Sequence, residues 1–459
     1  MRKRLSLLGL ALALALLTVT ALASASSTPS QTSRTVLRDR VLRALAAVDG
    51  TNGNIPAAGR QTRKLGELPL DSITADVWTH GDFAYVGSWE APCGLGVRIV
   101  DVSDPANPVQ VALAADYPST SAEDMQVVSV STPSFVGDLL AVGLQACDEH
   151  GLAGLDLWDV TDPMSPQHLG RYDNFGVHEL SLTNRPDGVF ALLASPFSEP
   201  LSDLIFGSVL GDFQLVDVTD PSNPVLTDDW AAHRDGGFPA GAPFLPPPYD
   251  CSAPLCRGDF PAVFAHSASP SRDGQTAYVS YWDLGAVVLD ISDPSNVTYV
   301  GRTVYPPTSD GDTHSAVANA ADTLLATTDE DFSPFAGTHI PGDTWGFARL
   351  WSLSNPANPA HLSDVTTPHS LTNSLGGIYS AHNPQFAGSK LYVSWYSDGL
   401  RIFDVSSPTA PHEVGFYRPR PHSGLLFAHP IPLVWGVHVV DNRIYLSDMF
   451  FGLYVVTES

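Results

Sequence analysis

One short segment recurs along this chain, and that repetition limits the fold more than any other feature. The first copy runs from Gly96 to Pro108 and joins an apolar, strand-like stretch to the turn sequence Ser103-Asp104-Pro105. Self-similarity of this kind indicates a repeat architecture and outweighs local patterns. The copies are marked, at the place of the first Asp, by Asp101, Asp159, Asp217, Asp290, Ser352, Asp404 and Thr457. Intervals of 52 to 73 residues between these markers are typical of β-propeller blades that carry insertions.

The two ends of the chain are predicted to share the last blade. Each unit has the pattern of four strands, and the fourth strand of internal blades contains Gly after an apolar residue, as in Leu169-Gly170. The seventh unit stops before such a strand, while Leu65-Gly66 precedes the first unit. Pairing of Leu65–Leu68 with Leu453–Val456 would close the ring and remove exposed sheet edges. We therefore predict an all-β fold, a seven-bladed β-propeller of four-stranded blades over residues 65–459, with an open solenoid as the alternative.

Two of the repeated stretches read Leu215-Val216-Asp217-Val218 and Val288-Leu289-Asp290-Ile291. With them the chain resembles the LVIVD-repeat proteins, a family of exported or surface-attached bacterial and archaeal β-propellers. The resemblance extends over residues 65–459 and implies the propeller fold and an extracellular location. It implies no particular chemistry, because propellers serve as enzymes, binding modules and scaffolds alike.

The N-terminus has the three parts of a secretory signal peptide. Met1–Arg4 is basic, Leu5–Leu22 is apolar, and Ala21-Leu22-Ala23 offers the small residues that a signal peptidase requires. We assign residues 1–23 to the signal peptide and residues 24–64 to a flexible leader that begins rich in Ser and Thr. An uncleaved membrane anchor is the alternative. The prediction is a secreted or cell-surface protein with no membrane span after cleavage.

The charge of the chain narrows the choice of partners. There are 23 Lys and Arg residues against 49 Asp and Glu residues, a net charge of −26 at pH 7. Such a protein repels phosphate backbones and anionic lipid, so nucleic acid and membrane surfaces are excluded as partners. Hydrophobic residues make up 44% of the sequence, enough for a sizeable core. We expect a monomer whose partners are extracellular proteins or carbohydrates.

The four cysteines agree with an oxidising compartment. Cys93 and Cys147 occupy matching loops of the first two blades, between the second and third strands, and we predict a disulfide between them. Cys251 and Cys256 stand in one insertion and are predicted to form a local disulfide. A metal site made of Cys251 and Cys256 is the alternative for that pair.

Long insertions are concentrated on one face of the predicted propeller. The loops between second and third strands and the loops between blades open on the same face, and they include Trp230–Phe260, Asp331–Trp345 and Arg418–Val434. A face that carries nearly all the long loops is the expected place for recognition. The first functional hypothesis is therefore an extracellular binding or interaction module that uses this loop-rich face.

Four histidines fall at the same place in successive blades. His178, His266, His314 and His382 each stand at the start of an innermost strand, in blades three to six. Equal register would point these side chains towards one end of the central channel. Neutral imidazoles that converge with a carboxylate suit Fe, Cu or Zn, so the second hypothesis is a metal-dependent oxidoreductase with its centre there. Further ligands, or partners of the ligands, are expected among Glu179, Asp312, Asp124 and Asp76.

The same four histidines are also compatible with two roles that need no metal. A recurrent His can hydrogen-bond a neighbouring strand and be purely structural, or it can contact an organic ligand directly. The acidic runs Asp310–Asp312 and Asp329–Asp331 are predicted to be solvated loops, with Ca²⁺ binding as the alternative. The sequence has no Gly-x-Ser-x-Gly elbow, His-Glu-x-x-His pair or phosphate-binding Gly loop, so it identifies no catalytic residue of a hydrolase or nucleotide enzyme.

Overall fold

The computed structural model of the protein describes residues 58–70, 73–89, 93–207, 209–239, 261–306, 309–336, 344–372, 376–420 and 431–459. Over these residues the chain forms 29 β-strands and two short helices. The strands pair antiparallel in seven units of four, which are the predicted blades. A single pairing of Ser88 with Ala122 joins the sheets of the first two blades.

The strands follow one another blade by blade along the chain. Ahead of the first blade are β1 (Ala58–Arg60) and β2 (Thr62–Leu68). Blade 1 contains β3 (Thr74–His80), β4 (Phe83–Ser88), β5 (Val97–Asp101) and β6 (Val109–Ala114). Blade 2 contains β7 (Thr120–Ser131), β8 (Val136–Ala146), β9 (Gly154–Asp159) and β10 (Gln167–Asp173). Blade 3 contains β11 (Glu179–Arg185), β12 (Gly188–Ala194), β13 (Phe213–Asp217) and β14 (Val225–Trp230), with helix α1 (Ser198–Phe206) between β12 and β13.

The second half of the ring repeats this order. Blade 4 contains β15 (Ser267–Pro270), β16 (Thr276–Ser280), β17 (Ala286–Asp290) and β18 (Thr298–Arg302). Blade 5 contains β19 (Thr313–Ala318), β20 (Leu324–Asp329), β21 (Ala348–Ser352) and β22 (Ala360–Val365), with helix α2 (Ser333–Ala336) between β20 and β21. Blade 6 contains β23 (Pro384–Ala387), β24 (Lys390–Trp395), β25 (Gly399–Asp404) and β26 (His412–Arg418). Blade 7 contains β27 (Val434–Val440), β28 (Arg443–Asp448) and β29 (Gly452–Glu458).

The N-terminal strand β2 completes blade 7 and closes the ring, as the sequence predicted. It pairs with β29 so that Leu68 lies opposite Leu453 and Lys64 opposite Val456. The innermost strands β3, β7, β11, β15, β19, β23 and β27 contact one another in turn, and β27 contacts β3. Strand β1 adds a fifth strand to blade 6 by pairing with β26. The sheets therefore begin at Ala58, inside the segment 24–64 that the sequence assigned to a leader.

The apolar repeats are the third strands of the blades. In β5, β13 and β17 the first four residues are all buried, although a strand with one solvated face would alternate between buried and exposed. Both faces are covered because apolar side chains of neighbouring blades pack against each other, as Leu157 of blade 2 does in one cluster with Leu180 and Val216 of blade 3. The core of the protein thus lies between the blades.

The glycine in the fourth strand of several blades has a packing reason. A Cβ on Gly301 would lie 2.5 Å from the backbone of Ala357, in the turn of the next blade. A Cβ on Gly170 would lie 2.5 Å from the carbonyl oxygen of Pro221, and a Cβ on Gly66 of the closing strand would collide with the carbonyl oxygen of Pro105. Each of these glycines lets a fourth strand touch the Pro-containing turn of the following blade, which explains the pattern that revealed the closing strand.

The inner strands are sheet edges, and polar side chains cap them. Each inner strand pairs on one side only, so its other N–H and C=O groups need partners. Asp124 accepts a hydrogen bond from the N–H of Leu180 at 2.7 Å, and Gln385 accepts one from the N–H of Val439 at 2.6 Å. The indole of Trp78 donates to the carbonyl oxygen of Val127 at 3.1 Å. Side chains of one blade therefore hold the edge of the adjacent blade.

The disulfide between Cys93 and Cys147 is present and joins blades 1 and 2 on the loop-rich face, with Cα atoms 6.6 Å apart. The predicted pair Cys251 and Cys256 lies outside the described residues. Residues 1–57, which include the predicted signal peptide, also lie outside them. No helix within the described part of the chain has the length and apolarity needed to cross a membrane.

Candidate metal centre

The centre of the ring holds a channel that is lined by residues from all seven inner strands. Its cavity measures about 300 Å³. Carboxylates from three blades, those of Asp76, Asp124 and Glu179, lie in its wall. The remaining wall combines small and amide side chains of the inner strands, such as Ser181 and Gln385, with apolar and aromatic ones, such as Trp78.

The four histidines lie side by side at one end of this channel. His178, His266 and His382 come just before β11, β15 and β23, and His314 is the second residue of β19. Neighbouring imidazole centroids are 4.3 Å apart for His178 and His266, 4.0 Å for His266 and His314, and 3.9 Å for His314 and His382. None of the four residues is more than 6% exposed. We call this row of His178, His266, His314 and His382 the histidine arc.

The histidine arc contributes to two groups of ligand-spaced atoms. In the first, one atom each of Glu179, His266 and His314 lies within 4.8 Å of the other two. The Glu179 Oε1 atom is 3.8 Å from Nδ1 of His266 and 3.7 Å from Nε2 of His314. In the second group, His314 and His382 are joined by Glu330. His314 belongs to both groups and is the middle of the site.

His178 takes a different position from the other three. Its Nδ1 accepts a hydrogen bond from the amide Nε2 of Gln145 at 3.2 Å and lies 2.8 Å from Oε2 of the buried Glu123. Its Nε2 lies 2.9 Å from Nε2 of His266, so one of these two nitrogens donates a hydrogen bond to the other. A carboxylate that holds the far nitrogen of a histidine is a regular feature of metal sites, because it fixes the ring and its tautomer.

Two imidazole nitrogens of the histidine arc have no hydrogen-bond partner among the described atoms. They are Nδ1 of His266 and Nε2 of His382, and both residues are at most 1% exposed. The opposite nitrogen of His382 lies 2.8 Å from the carbonyl oxygen of Trp435 and donates to it. A buried polar atom without a partner is unfavourable, so these two nitrogens are suited to a ligand.

Burial keeps three imidazoles of the histidine arc neutral, those of His266, His314 and His382. It lowers the pKa of His266 and His314 well below the usual range, and the neighbouring histidines add to the effect. Burial also lowers the pKa of His382 to about 3. A metal binds the unprotonated imidazole, so these rings offer their lone pairs without first losing a proton at neutral pH.

The carboxylates around the channel experience the opposite shift. Burial, and then the charges of Asp76 and Asp124, raise the pKa of Glu179 well above its usual range. Burial, and then the charge of Glu123, raise the pKa of Asp76 to about 7. A cation bound beside Glu179 would favour its ionised form and relieve this unfavourable burial.

The acidic side chains predicted to assist the histidines lie in three different environments. Glu179 lies against His266 and His314. Asp76 lies in the channel wall, where its Oδ1 accepts a hydrogen bond from the amide of Asn383, and Asp124 caps the edge of β11. Asp312 belongs to neither histidine group.

Asp312 lies instead in a third ligand-spaced group, together with Asp283 and Asp310. All three residues are buried, and so are Asp329, Glu330 and Asp331. The prediction that these acidic runs are solvated loops was wrong. The sequence pattern resembled exposed turns, and the loops are covered by packing between distant parts of the chain.

Sequence reasoning missed two carboxylates of the site, Glu123 and Glu330. Glu123 precedes Asp124 in β7. In a regular strand these two neighbours would point to opposite faces of the sheet, but a register shift between Ala122 and Met125 interrupts the alternation. Glu330 accepts a hydrogen bond from the hydroxyl of Tyr396 in the next blade. Only the position of Glu330 on the loop-rich face hinted at its place.

The LVIVD repeat matches residues 72–113, 273–304 and 387–418, which are the greater parts of blades 1, 4 and 6. This chain contains LVIVD repeats. All four residues of the histidine arc lie outside the matched segments, so the LVIVD repeats account for the scaffold and not for the site.

Among solved structures, the computationally designed Ika8 protein aligns with 86% of this chain and 99% of its own, with 8% sequence identity and a TM-score of 0.48. Comparison with curated proteins gives no match.

Proposed function

We propose that this LVIVD-repeat propeller is a metal-dependent oxidoreductase whose metal is held by His266, His314 and Glu179. The observation that carries the proposal is the spacing of their ligand atoms, all within 4.8 Å of one another in a buried site. Two imidazoles and one carboxylate form a donor set that suits Fe, Cu or Zn. His178 and His382 flank this set.

Three protein ligands leave coordination positions open, as catalytic metals require and structural metals do not. Fe or Cu in such a site supplies one-electron chemistry, which is the reason for the choice of an oxidoreductase. We also propose that the protein works outside the cell. The Cys93–Cys147 disulfide and the signal-like residues 1–23 support that location.

The test is metal binding by the purified chain. The protein as isolated should contain close to one equivalent of Fe, Cu or Zn. After removal of the metal with a chelator, Co²⁺ should bind with one-to-one stoichiometry and give a visible absorption band. Loss of a partner of a metal ligand already costs about 10–100-fold in affinity, so His314→Ala, which removes a ligand, should weaken Co²⁺ binding by more than about 100-fold.

The matched control is His438→Ala. His438 is also a buried histidine on an inner strand, but it packs edge-on against Trp78 at 4.1 Å and belongs to neither ligand group. Its variant should bind Co²⁺ as the unsubstituted chain does. Absence of metal from the isolated protein together with absence of Co²⁺ binding would show that the histidine arc is structural.

A second candidate is the extracellular binding module expected from the loop-rich face. It is favoured by three consecutive exposed apolar side chains at the end of α1, Leu204, Ile205 and Phe206, which are 65%, 51% and 69% exposed. An apolar patch of this kind fits a protein partner better than a carbohydrate. Replacement of Leu204 and Phe206 by Ser should abolish capture of that partner and leave Co²⁺ binding unchanged. Capture that persists in this variant would exclude the patch.

A further inference from the structure

We infer that small neutral or cationic molecules reach the proposed metal through the central channel, from the face that carries the short turns, and not through the loop-rich face. This inference rests on the proposed metal centre. It concerns the route to that centre and the class of molecule that can use it.

Aromatic side chains cover the histidine arc on the loop side. His266 stacks on Trp282, with centroids 5.3 Å apart, and Trp282 stacks in turn on Phe264 at 5.0 Å. All three residues are at most 1% exposed. At the other end of the arc, His382 packs against Tyr396 at 5.0 Å and Trp435 at 4.4 Å. We call Phe264, Trp282, Tyr396 and Trp435 the aromatic cover.

The channel begins directly under the histidine arc. The residue that follows each histidine lies in the channel wall: Glu179, Ser267, Ser315 and Asn383. Glu179 is therefore both a member of the ligand group and a part of the wall. The wall continues along β15 and β19 to their last residues, Pro270 and Ala318, which lead to the short turns. The metal is thus covered by aromatic rings on one side and borders the channel cavity, with its carboxyl groups, on the other.

The size and charge of the channel select the molecules that enter. Its volume of about 300 Å³ corresponds to roughly ten water molecules at ~30 Å³ each, so only small molecules fit. The described residues of the wall include Asp76, Asp124 and Glu179 and no Lys or Arg. The wall offers an anion no positive counter-charge, and any of its carboxyl groups that ionises repels one. A neutral or cationic molecule is therefore favoured over an anion of the same size.

The experiment narrows the channel and measures the rate at which a small molecule reaches the metal. Ser181 lies in the wall two residues after Glu179, and Ser181→Trp places an indole in the cavity. Protein equilibrated with Co²⁺ is mixed with imidazole, and the change of the Co²⁺ absorption band gives the rate. We expect Ser181→Trp to bind the same amount of Co²⁺ but to react with imidazole at least 10-fold more slowly.

Two variants complete the comparison. Ser131→Trp makes the same change at an exposed position at the end of inner strand β7, outside the channel wall, and should leave the rate unchanged. Trp282→Phe thins the aromatic cover and should also leave it unchanged. If the rate with imidazole rises in Trp282→Phe and is unchanged in Ser181→Trp, the inference is overturned, and small molecules reach the metal from the loop-rich face.

Access to the metal can also be measured on the unsubstituted chain, so that the result does not depend on the folding of the variants. Imidazoles of increasing bulk should react progressively more slowly, and azide should bind more weakly than imidazole. Equal rates for small and bulky imidazoles would contradict access through a narrow channel. A chain that binds no Co²⁺ at all contradicts the metal centre itself, so failure of the proposed function and failure of this inference give different results.

Discussion

The histidine arc and the acidic side of the ring present opposite chemistry on the same scaffold. Blades 3 to 6 carry histidines at the loop-side ends of their inner strands, whereas blades 1 and 2 carry Asp76, Glu123 and Asp124 in the corresponding region and blade 7 carries Trp435. Both sides are buried, and burial favours the neutral form of each. The pKa of His382 is lowered to about 3, and that of Asp76 is raised to about 7. The one or two residues at the loop-side end of each inner strand therefore decide whether that part of the ring is basic or acidic, and the shared blade structure does not.

If the scaffold is common to both sides, the same substitution should have the same effect on each. Gly301→Val in blade 4 and Gly66→Val in the closing strand both force a side chain into the turn of the following blade. We expect each to lower the free energy of unfolding by more than about 3 kcal/mol, the upper range for overpacking, since the obstructing atoms are backbone. Urea denaturation measures the loss.

Ala320→Val, at an exposed turn position, is the control and should change stability by less than about 0.5 kcal/mol. A small effect of Gly66→Val beside a large effect of Gly301→Val would mean that the closing strand does not pack as the internal fourth strands do.

The histidine side should make the protein sensitive to acid. The folded protein keeps His382 unprotonated down to a pKa of about 3, while the unfolded chain protonates it near pH 6.5. Stability is therefore lost as the pH falls between these values, by up to about 1.4 kcal/mol per pH unit for this residue. Denaturation of the metal-free protein at pH 7.0 and 5.0 should show a smaller loss for His382→Gln than for the unsubstituted chain.

The exposed His361, whose side chain is 43% accessible, provides the control. His361→Gln should leave the acid sensitivity unchanged. Equal pH dependence of the His382→Gln variant and the unsubstituted chain would show that His382 is accessible to protons in the folded state.

The acidic side should have the opposite pH dependence. Folded Asp76 holds its proton up to a pKa of about 7, while the unfolded chain releases it near 3.8. Stability therefore falls as the pH rises through this interval, by about 1 kcal/mol per unit, because the titration is shared with neighbouring carboxylates. Asp76→Asn should gain stability over the unsubstituted chain between pH 5 and pH 8.

Asp101 offers a contrast of opposite sign. Hydrogen bonds from the hydroxyl and N–H of Ser103 lower the pKa of Asp101, so Asp101→Asn should lose stability relative to the unsubstituted chain at the higher pH. If Asp76→Asn behaved like Asp101→Asn, the carboxylate of Asp76 would be ionised in the folded protein and the contrast between the two sides would fail.

Several features of the fold could be predicted because they depend on local sequence. The seven copies of the repeated segment predicted the number of blades, and the glycine pattern of the fourth strands revealed the closing strand. The place of Cys93 and Cys147 in equivalent loops predicted their disulfide. The sequence placed the start of the propeller at residue 65, whereas the strands begin at Ala58. Residues 58–64 have no repeat pattern, and they form strands only through pairing with β26 and β29.

The candidate site could be predicted only in part. Position along a strand follows from alternation, so the sequence located the start of each inner strand and its histidine. The sequence contains no distances between side chains of different blades. It therefore did not distinguish Glu179, which lies against two imidazoles, from Asp124, which caps a strand edge. Glu123 was hidden by the irregular register of β7.

The amino-acid sequence determined by itself the ring of blades, the strand that closes it and the presence of a histidine in each of four successive blades. These features repeat within one blade length and need no knowledge of what lies opposite. The tertiary structure alone decided that Glu179 meets His266 and His314, that the aromatic cover seals one side, and that the acidic runs are buried. Ligand spacing, burial and pKa depend on distances between residues that are far apart in the chain, and packing of the blades sets those distances.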